Sequence, residues 1–201
     1  MAFGIHWGSI ASLLLLALAV MGSPGPATMA LVAAGSAYGV RRTAPYLAGV
    51  VAGTALVLIA VACGITAALL SIPAAGSALV WLSAAYILWL AFRIATATPG
   101  GEAKPASTFS WTAGVVIGVG NPKAWIAIGA VFASTRLADM EMMDAVAKTA
   151  VLALMIVVIC TAWLLAGTAV MPLLRQPRRA RLVNVALAVA LVTATALAVL
   201  H

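Results

Sequence analysis

The chain has 201 residues, 65% of them hydrophobic and 7% charged, with a mean hydropathy of +1.18; soluble domains carry nearer about 25% charged residues, so a water-soluble globule is excluded. A membrane span takes about 20 apolar residues, so the length holds roughly six spans and no sizeable extramembrane domain. Eleven Lys and Arg against four Asp and Glu give a net charge of +7; in a chain this apolar they read as topology marks rather than as a nucleic-acid surface.

Charged or Pro/Gly-rich borders cut out six apolar stretches: Ser9 to Tyr38, Pro45 to Leu70, Ala74 to Ala97, Trp111 to Ser134, Asp144 to Met171, and Leu182 to Leu200. No Lys or Arg precedes the first, so it lacks the charged region that opens a signal peptide and reads as a retained span. Arg41 and Arg42 follow span 1, Arg93 and Lys104 follow span 3, and Arg175, Arg178, Arg179 and Arg181 follow span 5. On the other side stand only Arg136 and Lys148, with Asp139, Glu141 and Asp144. The positive-inside rule then predicts both termini outside.

The first stretch would be about 45 Å long as one helix, against a hydrocarbon core of about 30 Å. It contains Ser23-Pro24-Gly25-Pro26, and the fourth contains Asn121-Pro122-Lys123. Proline removes an amide donor and collides with the preceding turn, which predicts a break in each span. Pro24 and Pro122 stand 98 residues apart, close to half the chain, and Cys63 and Cys160 as well as Arg41 and Arg136 keep nearly the same spacing. The expected fold is therefore all-α: a single domain of six transmembrane helices, built as two three-helix repeats (about 1–98 and about 107–201) with helices 1 and 4 broken. An odd number of spans per repeat inverts the second copy, an architecture common among secondary transporters.

Broken helices at membrane depth leave backbone groups that only protein or a wet cavity can satisfy. The half-helix after each break aims its positive end at the cavity, which suits a carboxylate. Lys123 adds an ammonium there, and an intramembrane charge is a candidate site residue, or else one that snorkels to the interface. Ser23 and Asn121 hold matching places before the prolines, as helix caps or as substrate contacts. Trp125 is a candidate cavity wall. Substrate contacts are accordingly expected from Ser23, Pro24, Gly25, Pro26, Asn121, Pro122, Lys123 and Trp125.

These residues carry a resemblance. The Pro24-Gly25-Pro26 break with Gly35, Gly39, Gly49 and Gly53 after it, the Ala85-Tyr86-Ile87-Leu88-Trp89-Leu90 stretch, and Asn121-Pro122-Lys123-Ala124 resemble the LysE/RhtB family of amino-acid exporters. The likeness runs from about Met21 to the end of span 6. It implies a multi-pass protein of the bacterial cytoplasmic (inner) membrane that exports amino acids or close analogues, driven by the proton gradient, as a homodimer. The chain departs from the family at the end of span 4, where Ala130-Val131-Phe132-Ala133-Ser134-Thr135-Arg136 replaces a Pro-Gln-Phe-like element.

A site for lysine or arginine would hold a buried carboxylate opposite the side-chain cation. No Asp or Glu lies securely inside a span, which favours neutral substrates. Cys63 and Cys160 raise an alternative, a membrane thiol–disulfide electron carrier; that chemistry requires close, cavity-exposed thiols, and two small residues packing between helices is the plainer reading. Two costly midplane breaks argue against an inert scaffold. No metal spacing, cofactor motif or nucleophile–base pair is present, so an enzyme is not expected. Gly35/Gly39, Gly49/Gly53 and Gly114/Gly118 are spaced for close helix contact, more within a protomer than between two.

Overall fold

The computed structural model of the chain describes residues 7–64 and 109–170, with isolated helical positions between 81 and 92 and between 181 and 193. Five helices are set out in full: α1 (Trp7–Met21), α2 (Pro26–Ala62), α3 (Trp111–Val119), α4 (Pro122–Ser134) and α5 (Glu141–Val170). Spans 3 and 6, including Tyr86 and Trp89, fall largely outside the described residues.

The predicted first span is two helices, α1 and the first part of α2, with the interruption at Gly22–Gly25. Pro26 occupies the first position of α2, where its missing amide costs nothing. The predicted fourth span is likewise α3 and α4, which meet at 57° across Gly120 and Asn121, with Pro122 opening α4.

The connection between the first two predicted spans is a tight turn inside α2: the helix is interrupted at Gly39, with φ 73° and ψ 171°, and Arg41 and Arg42 follow it in helical residues rather than in a longer loop. That left-handed φ is one glycine reaches without strain. Across the turn the Thr43 hydroxyl donates to the carbonyls of Gly39 (2.8 Å) and Ala34 (3.2 Å). In a straight helix residues 34 and 43 would be about 13.5 Å apart along the axis, so the chain doubles back here. Gly39 is therefore a turn residue and not, with Gly35, part of a packing stripe. Arg41 and Arg42 stay exposed.

Lipid tails are as apolar as leucine, so helices in a bilayer associate through close backbone approach rather than hydrophobic drive. The second part of α2 does so with α3. A Cβ at Gly49 would lie 3.0 Å from the Gly114 Cα, one at Gly53 would lie 3.1 Å from the Gly118 Cα, and one at Gly118 would lie 2.8 Å from the Thr54 nitrogen. Residue numbers rise together along this contact, so the two helices run in the same direction. The first part of α2 packs as closely against α5: Gly35 approaches the backbone at Leu164 and Thr168, and Gly167 approaches Val32.

Around these contacts the interior is filled by Leu13, Leu31, Leu58, Ile117, Ile128, Leu152 and Ile156, all almost wholly buried. Large apolar side chains on the outside, among them Leu15, Leu56, Ile59, Ile126, Leu154 and Leu165, form the surface a bilayer would solvate. By length and composition α2 and α5 can each cross a membrane, and the bent α3–α4 pair can count as a third crossing. In the first turn of α5, Asp144 accepts from the amides of Leu137 (2.5 Å) and Ala138 (3.3 Å) and pairs with Lys148 at 2.7 Å. Lys148 also lies 5.2 Å from the centre of the Phe132 ring.

Candidate functional site

The two breaks lie beside each other. At the first, the Ser23 hydroxyl donates back to the Val20 carbonyl at 2.8 Å, so Ser23 finishes α1 and does not cap α2. Gly25 is the residue that precedes α2, and its amide donates to the Thr28 hydroxyl (2.8 Å), which in turn donates to the Gly25 carbonyl (2.9 Å). The backbone of Gly25 is extended, with φ −162°, a conformation open to any residue. Its requirement is space, because a Cβ there would lie 2.7 Å from the Lys123 Cδ.

Lys123 crosses from the second break to the first. Its ammonium donates to the carbonyl of Ser23 and, at 3.2 Å, to that of Pro24. In an uninterrupted helix those carbonyls would accept from amides four residues on; the break removes the helix, and at membrane depth each unpaired carbonyl would cost several kcal/mol. The ammonium satisfies both. Gly25 and Lys123 stand 98 residues apart, the spacing of Pro24 and Pro122, and the lysine stem lies over the glycine.

Each break is further held by an indole. Trp163 donates to the Gly22 carbonyl at 3.1 Å and Trp125 to the Val119 carbonyl at 2.7 Å. Trp125 thus braces the end of α3 and is not among the residues lining the cavity, contrary to its expected place on the wall. Asn121 precedes α4 without a side-chain capping bond, against the expected capping role. It is only 7% exposed, and its Oδ1 is buried with no hydrogen-bond partner.

A cavity of about 50 Å³ opens between the breaks, large enough for a few waters. Its polar lining comes from Thr28, Thr54, Asn121, Lys123 and Cys160, and its apolar lining includes Ile128, Ile156 and Ile159. Of the residues expected from sequence, Gly25, Asn121 and Lys123 line it. Ser23 and Pro24 contribute carbonyls to Lys123, while Pro26 and Pro122 are buried helix starts.

Thr28, Thr54 and Trp163 carried no signal in the sequence, and Cys160, named there only as a possible redox thiol or a packing residue, lines the cavity. Cys160 is buried in the cavity wall and Cys63 is exposed beyond the end of α2, so the two thiols occupy different settings, and the symmetry that suggested a redox pair does not bring them to one site. Asp144 is engaged with Lys148 and the 135–140 connection and lies outside the cavity lining. Among the described residues no cluster of His, Cys, Asp and Glu could hold a metal.

Comparison with known proteins places these features in a family. The chain is 40% identical over 91 residues to the cysteine/O-acetylserine efflux proteins of Salmonella choleraesuis and Salmonella typhimurium, an alignment covering 44% of this chain and 46% of theirs. It is 39% identical over 89 residues to the protein of the same name from Escherichia coli K12, covering 42% and 45%. The matched segment thus spans slightly under half the length of these curated relatives. No solved structure matches. The family model for LysE type translocators matches residues 8–201, nearly the whole chain, and the chain belongs to that family.

Proposed function

We propose that this protein is a secondary transporter, not an enzyme, that exports small neutral amino acids or close analogues across the bacterial cytoplasmic membrane, coupled to the proton gradient. The observation that carries the reading is the cavity between the two breaks. It offers a cation, Lys123, an unpartnered buried acceptor, Asn121 Oδ1, and a wall of isoleucine and alanine. A zwitterion with a short uncharged side chain matches that set: its carboxylate meets Lys123 and the start of α4, and its ammonium meets carbonyl and amide oxygens.

Among the described residues no carboxylate lines the cavity to pair with a lysine or arginine side chain, which supports neutral substrates. The names of the matched relatives, which export cysteine and O-acetylserine, point to the same size class.

Six spans in two inverted repeats account for the helix directions. The second part of α2 runs with α3, as spans 2 and 4 must in an up-and-down chain. The exposed Arg41 and Arg42 at the Gly39 turn fit a cytoplasmic position, with both termini outside. Transport then proceeds by rocking of the repeats about the cavity, in a homodimer within the bilayer.

The test is efflux of labelled amino acids from proteoliposomes with and without an imposed proton gradient. Gradient-stimulated release of a small neutral amino acid, with lysine and arginine retained, is the expected result. Release of the cationic pair alone, or of no amino acid, would overturn the reading.

A further inference from the structure

Two observations meet at Lys123. It lines the cavity, and its ammonium is already spent on the carbonyls of Ser23 and Pro24. A lysine ammonium and the α-ammonium of an amino acid are the same group in charge and in donor number, each offering three N–H donors and no acceptor. A carbonyl pair that holds one is built to hold the other. We infer that the Lys123 ammonium is a tethered stand-in for the ammonium of the substrate, filling the Ser23–Pro24 carbonyl subsite in the empty carrier and leaving it when an amino acid binds.

The inference rests on the amino-acid reading above and adds the order of events. The arriving α-ammonium takes the two carbonyls and the displaced lysine turns to the carboxylate, so a single step exchanges one ammonium for another and creates an ion pair. The break carbonyls are satisfied in both states, which matters because bare carbonyls at membrane depth cost several kcal/mol each. Gly25 permits the exchange sterically, since any side chain there meets the lysine stem, with even a Cβ only 2.7 Å from its Cδ. Asn121 Oδ1, buried and without a partner in the lysine-occupied state, is the remaining acceptor, and it waits for the third ammonium proton.

The stand-in has a kinetic consequence. Net efflux requires the empty carrier to reorient, with Lys123 occupying the subsite; exchange of internal for external substrate does not, because the carrier is loaded in both directions. The experiment therefore compares net efflux with exchange of the same labelled neutral amino acid in proteoliposomes containing the wild type, Lys123→Met, Lys123→Arg or Lys123→Ala. For Lys123→Met the expected result is a fall of about tenfold or more in the ratio of net efflux to exchange, with exchange still measurable. Lys123→Arg keeps a tethered cation and should keep the wild-type ratio.

Methylammonium in the buffer should restore net efflux in Lys123→Ala, where the removed side chain leaves room for a free ammonium at the carbonyls. Net efflux and exchange falling in equal proportion in Lys123→Met, collapse of the ratio in Lys123→Arg, or no response of Lys123→Ala to methylammonium would each overturn the inference. Failure of the amino-acid reading has a different signature: the wild type would move no amino acid in either mode.

Discussion

The two proline breaks match in sequence pattern but not in their chemistry. The first extends over Gly22–Gly25 and is satisfied from far along the chain, by Lys123 at Ser23 and Pro24 and by Trp163 at Gly22. The second is shorter, with Gly120 and Asn121 between the helices, and is braced from within by Trp125 at Val119. It supplies the cation and leaves Asn121 Oδ1 unpartnered. Glycine after Pro24 and lysine after Pro122 make a carbonyl end and a donor end, and the proposed amino-acid substrate has matching ends.

The sharpest way to break that asymmetry is to fill Gly25. Gly25→Val drives a branched side chain into the Lys123 stem, and the account expects net efflux to fall at least about tenfold while the protein still inserts; efflux assays on purified, monodisperse variant check it. Packing comes next in size. Gly118→Val places a side chain against the Thr54 and Val50 backbone, and overpacking of this kind costs about 1–3 kcal/mol or more. A lowered thermal midpoint in detergent is expected, and an unchanged midpoint would show that the α2–α3 contact is not as close as described.

Asn121→Leu separates the two roles a buried polar group can have. Removing an unpartnered acceptor relieves a desolvation cost of about 1–3 kcal/mol, so the variant should be as stable as the wild type or more so, yet lose most of its efflux. Loss of stability together with transport would mean that Asn121 serves the fold. The smallest effects belong to the indoles. Trp163→Phe and Trp125→Phe each delete one hydrogen bond to a break carbonyl and should cost about 0.5–1.5 kcal/mol, measured as shifts in thermal midpoint. If transport suffers more from one than the other, Trp163 should be the one, because it braces the break whose carbonyls bind the ammonium.

Both breaks were legible in the sequence because proline removes a donor wherever it stands, and a 30-residue apolar stretch is too long for one straight span. Lys123 was legible because a charge is costly among apolar neighbours. Its partners were not: carbonyl acceptors carry no side-chain signature, so contact with Ser23 and Pro24 is visible only in three dimensions. The same applies to Trp163, which lies 141 positions from Gly22, and to Thr28 and Thr54, each an ordinary small residue in its own helix. Gly39 misled the reading because GxxxG spacing with Gly35 describes packing and a turn equally well, and only its positive φ distinguishes them. Gly49/Gly53 and Gly114/Gly118 carried the right signal, since small residues at that spacing have little use in a lipid-facing helix other than close approach.

Substrate is proposed to occupy the cavity between the breaks, and Cys160 in its wall provides a direct probe. With Cys63 replaced by serine it is the sole thiol of the chain. The rate at which a small membrane-permeant maleimide alkylates Cys160 can then be measured in proteoliposomes as a transported neutral amino acid is titrated in. The account predicts slowing that saturates at the concentrations that saturate efflux. An alkylation rate indifferent to substrate, in protein that still transports it, would contradict the claim.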